Sequence, residues 1–94
     1  MNDKNENVII ASHTEFEGIC SIDVYNGDHL ITFKINPKKD QHTMTIQKEN
    51  SDDDYHIFEM SKERIIGHLL IYSMMTDVVK YRDRANHFIV TIVS

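Results

Sequence analysis

One cysteine, Cys20, in 94 residues excludes an intramolecular disulfide and every multi-cysteine metal arrangement. It falls inside an apolar alternation and reads as a small buried hydrophobe. The three glycines, Gly18, Gly27 and Gly67, stand alone, which excludes the glycine-rich loops that cradle phosphates. Long apolar runs are also lacking. The longest, Ile65 to Met75, is interrupted by Gly67, His68 and Ser73 and falls short of a membrane span. The polar opening MNDKNEN and the brief run Val8 to Ala11 do not make a signal peptide, so a cytoplasmic location is expected, in the protein's own cell or in a host's. Positive charge is scarce as well: the net charge is −5, and residues 1–60 carry 12 acids against 5 bases, whereas residues 61–94 carry 3 against 5. Direct nucleic-acid binding needs a basic face and is not expected; a protein partner with a basic surface is admitted.

What is present is the composition of an ordinary globular chain, 40% hydrophobic and 27% charged. Its length suits one domain spanning residues 1–94, with residues 1–7 as a disordered tail. Val8 to Ser12 reads as a short first strand. Ile22 and Val24 alternate with polar neighbours, as do Ile31, Phe33 and Ile35, and Asn26-Gly27 between the two runs signals a tight hairpin. Pro37 and the charges after it end the second run. A further strand is predicted over Gln41 to Lys48, with Met44 and Ile46 facing in, and a short one over Tyr55 to Met60.

The stretch from Ser61 to Arg84 reads as one long helix. Ser61 caps it, Glu63 complements its dipole, and Lys80, Arg82 and Arg84 close it ahead of Asn86. His87 to Val93 is apolar on both parities and reads as a last strand, interior in its sheet. The expected fold is therefore α+β: an antiparallel sheet of four or five strands, made of a β-meander and a C-terminal strand, with the long helix on one face.

That helix carries apolar residues on two sides. At about 100° per residue, Ile65, Leu69, Tyr72, Thr76 and Val79 form one stripe, and Leu70, Met74, Val78 and Tyr81 form a second, roughly opposite. A helix on a sheet needs only one, so the second is expected either to be covered within the chain or to meet another chain, most economically in a homodimer.

Catalytic constellations are few. Ser61 is accounted for as a cap, and His13 with Glu15 and Glu17 reads as a solvated group beside the first strand. Asp52, Asp54 and His56 would point the same way in an extended segment and suit a divalent cation, but an acidic loop entering a strand is the plainer reading, and no metal or other cofactor is expected. The outward face of the meander lacks the paired aromatics of an RNA platform. The expected function is non-catalytic binding by a small acidic inhibitor or adaptor, in the manner of immunity, antitoxin or phage anti-defence proteins. Asp52, Asp53, Asp54, Leu70, Met74, Val78 and Tyr81 are the candidate contact residues. The alternatives are a homodimeric small-molecule sensor and a small enzyme with its site across a dimer interface.

Overall fold

The computed structural model describes residues 8–48 and 55–93. Five strands, β1 (Val8–Phe16), β2 (Ile19–Asn26), β3 (His29–Asn36), β4 (Gln41–Lys48) and β5 (Tyr55–Met60), form one antiparallel meander in chain order. Two helices follow, α1 (Lys62–Met75) and α2 (Val79–Val93), and pack on one face of the sheet. No helix among the described residues is long and apolar enough to cross a membrane.

The alternation that marks the strands also decides which face the helices cover. Cys20, Ile22 and Val24 of β2 sit beside Ile31, Phe33 and Ile35 of β3, and all six are buried with Ile65, Leu69, Ala85, Phe88 and Ile92 of the helices. On the opposite face Asp23 accepts hydrogen bonds from Ser12 Oγ and Thr32 Oγ1, each at 2.9 Å. In β1 the register shifts between Ile10 and Ser12, so His13 comes opposite Ile22 and Glu15 opposite Cys20. This bulge brings two polar side chains onto the helix-covered face.

Turn chemistry differs in detail from the sequence reading. In the β2–β3 hairpin Asn26 still pairs with His29, so the two-residue loop is Gly27-Asp28, and of these only Gly27 has a positive φ, 65°. Glycine first in a two-residue loop is the requirement of a type II′ turn. The β1–β2 loop, Glu17-Gly18, has positive φ at both residues, 53° and 81°, as type I′ demands.

The long helix and the last strand are both corrected. α1 ends at Met75; Thr76 is extended, at φ −100° and ψ 136°, and its Oγ1 accepts from Val78 N at 3.3 Å. This local bond gives the backbone an alternative to the helical ladder. Arg82 Nε then donates to Thr76 O at 2.6 Å, and Tyr81 N and Arg82 N donate to Val78 O, which starts α2. Lys80, Arg82 and Arg84 therefore open a helix and do not close one.

His87 to Val93 is the second half of α2, because Ala85, Phe88 and Ile92 recur at helical spacing and bury together. Its Val, Ile and Thr residues favour strands only where a sheet position is open to them. No strand from this end enters the sheet, whose edges among the described residues are β1 and β5.

Candidate functional site

α1 is apolar on the side that faces solvent. Ile65, Leu69 and Ser73 are buried, whereas Leu70, Ile71 and Met74, on the far side of the same helix, are 44%, 57% and 78% exposed. Ser61 positions the helix as its cap, accepting from Arg64 N at 3.3 Å. The far side also holds Gly67, at which an added Cβ would meet nothing within 4 Å.

The structure divides the described candidate contact residues into three groups. Leu70 and Met74 lie on this outer face. Val78 is exposed too, but in the break between the helices. Tyr81 is part-buried against the core, with Lys80 Nζ 5.1 Å and the Arg84 guanidinium 5.7 Å from its ring centre. It belongs to the α2 packing and not to the outer face. Asp52, Asp53 and Asp54 lie outside the described residues. Ile71, absent from both predicted stripes, joins Leu70 and Met74.

A cavity of about 530 Å³ opens where β4, β5 and the start of α1 meet. Asp40, His42, Glu59, Ser61 and Arg64 are among the residues lining it. His42 Nε2 donates to Asp40 Oδ1 at 3.0 Å, while its Nδ1 is buried without a partner. Asp, His and Ser side chains thus share one cavity. The imidazole's second nitrogen is sealed from solvent, however, and Ser61 Oγ is engaged at the helix start. The arrangement lacks the nucleophile–base contact that acyl transfer requires, and its polar lining differs from the apolar pocket that a small-molecule sensor calls for.

A second cluster lies between β1 and α2. Cys20 Sγ donates to Glu15 Oε1 at 3.2 Å, and burial, with the carboxylate added, pushes the thiol pKa up to about 11. The thiol is therefore protonated at neutral pH and unsuited to nucleophilic attack. Beside it the His13 ring lies edge-on to Phe88 at 4.6 Å and 5.8 Å from His87. Among the described residues no three His, Cys, Asp or Glu side chains gather as a metal site.

His13 is held below its ordinary pKa of 6.5, first by burial and then by His87 and Arg84, with Glu15 opposing. A depressed histidine is neutral in the fold and takes up a proton more readily when unfolded, so its contribution is complete above pH 6.5 and is lost as pH falls toward the folded value. The urea midpoint should decline from pH 7 to pH 5, and His13→Phe should flatten that decline. An identical slope in the variant would assign the pH dependence to other groups.

Comparison with protein-family models, with curated proteins and with solved structures finds no match.

Proposed function

We propose that this chain is a non-catalytic protein-binding domain of the inhibitor or adaptor kind, and that the outer face of α1 is its contact surface. The observation that carries the reading is the apolar solvent side of a helix whose opposite side already fills the core. Leu70, Ile71 and Met74 together present on the order of 300 Å² of apolar surface, a size that is often functional on a soluble domain. Met74, unbranched and the most exposed of them, suits an adaptable contact. The protonated Cys20 thiol and the sealed His42 nitrogen support a role without catalysis. The excess of acids in residues 1–60, Asp52, Asp53 and Asp54 among them, favours a partner with a basic surface, which charge would draw in faster at low salt.

The test is capture from an extract of the native host on immobilised protein, comparing the wild type with Met74→Glu. A protein held by the wild type and lost from the variant is the expected result. Equal retention by both, or no retained protein at all, contradicts the assignment.

A further inference from the structure

The two edges of the sheet are treated differently. β1 is interrupted by its bulge and backed by α2, two devices that keep an edge from pairing with other chains. β5 has neither. It pairs with β4 without a register shift from His42↔Met60 to Gln47↔Tyr55, and among the described residues its other side pairs with no strand. Its sequence, YHIFEM, contains no proline, lysine or arginine, and Glu59 is its one charge. Five of its six residues are exposed, including Tyr55 at 50%, Ile57 at 59% and Phe58 at 43%. An unguarded, apolar edge strand is a template for another strand.

We infer that β5 is the contact strand for a second copy of this chain, added antiparallel about a twofold axis normal to the sheet. Such an axis keeps the two faces of the sheet continuous, so residues of like parity oppose one another. Centred on Ile57, the pairing sets Ile57 against itself, His56 against Phe58 of the second copy, and Tyr55 against Glu59 of the second copy. Glu59 never meets its own copy, so no like charges face each other, and its carboxylate can accept from the Tyr55 hydroxyl. The backbone groups along the open edge gain the partners that an isolated chain leaves to water.

Edge pairing of one six-residue strand buries well under the roughly 1,600 Å² of a standard interface. The dimer is therefore reversible, forming in the micromolar range and not persisting on dilution. The residues involved are distinct from those of α1, and the inference stands whether or not α1 binds a partner.

Sedimentation velocity on the full chain, from low to high micromolar concentration, tests it. The wild type passes from monomer to dimer. Ile57→Lys, which puts a cation opposite its own copy at an exposed position, stays monomeric with an unchanged circular dichroism spectrum. Met74→Glu on α1 dimerises as the wild type does. Opposed Cα atoms in an antiparallel pair lie about 4.5 to 5.5 Å apart, within disulfide reach. Ile57→Cys should accordingly cross-link on mild oxidation while Leu70→Cys does not, a readout that survives any folding defect of the lysine variant. A wild type that is monomeric throughout overturns the inference. So does a dimer abolished by Met74→Glu and kept by Ile57→Lys, which would move the second copy to α1.

Discussion

Phe88→Ala should destabilise the fold by about 3 to 5 kcal/mol, the usual cost of deleting a fully buried phenylalanine. Phe88 is completely buried, packs edge-on against His13, and shares its side of α2 with Ala85 and Ile92. It is the largest of the three and holds the C-terminal helix to β1. In a domain of this size each kcal/mol moves the midpoint by about 4 to 8 °C, so thermal unfolding followed by circular dichroism should shift by roughly 15 °C or more. The same experiment separates the helix from the strand read in the sequence. A strand would place Phe88, Val90 and Ile92 on one face, whereas in α2 Val90 is 60% exposed. Val90→Ala should therefore change stability by less than about 0.5 kcal/mol. Comparable losses at residues 88 and 90 would contradict the helix.

The second large effect turns on a single residue step in α1. Leu69 is completely buried while Leu70 is 44% exposed. Leu69→Glu forces a carboxylate among the buried apolar side chains between sheet and helices, at a cost of several kcal/mol. A domain whose whole stability is about 5 to 15 kcal/mol is expected to unfold or to persist only as a loosened state. Leu70→Glu sets the same side chain in water and should leave the unfolding midpoint within a few degrees of the wild type. If both variants unfold alike, the solvent side of α1 is covered and its role as a contact surface fails. If Leu70→Glu folds, it serves with Met74→Glu as a well-folded variant with an altered contact face.

Much of the sheet is legible in the sequence because most strands show alternation, and the second and third are also bounded by Asn26-Gly27 and Pro37. The first, read as Val8 to Ser12, instead continues to Phe16. Gln41–Lys48 and Tyr55–Met60 match the predicted bounds, and Cys20 lies inward with Ile22 and Val24 as expected. The break at Thr76 is not legible. No glycine or proline marks it, and a threonine hydroxyl capturing Val78 N is a choice among local hydrogen bonds that composition does not announce. That omission carries further errors with it. Once the helix axis turns, the phase resets, and a period extended across residues 76–78 assigns Val79 to the buried stripe although it is 66% exposed, and Tyr81 to the free stripe although it packs against the core.

The candidate site divides in the same way. Leu70 and Met74 follow from periodicity within one unbroken helix. Ile71 and the exposed side chains of β5 do not, because their exposure depends on where two separate helices come to rest on the sheet. In the sequence, Tyr55, Ile57 and Phe58 look like any strand of a covered sheet.

Contact itself is the most direct measurement of the central claim that α1 meets another protein through its outer face. A benzophenone side chain introduced at Met74, and in a second protein at Thr45 on the helix-free face of the sheet, can be irradiated in an extract of the native host. The account predicts a covalent adduct with another protein from position 74 and none from position 45. An adduct from position 45 alone would place the contact surface on the open face of the sheet and contradict the account.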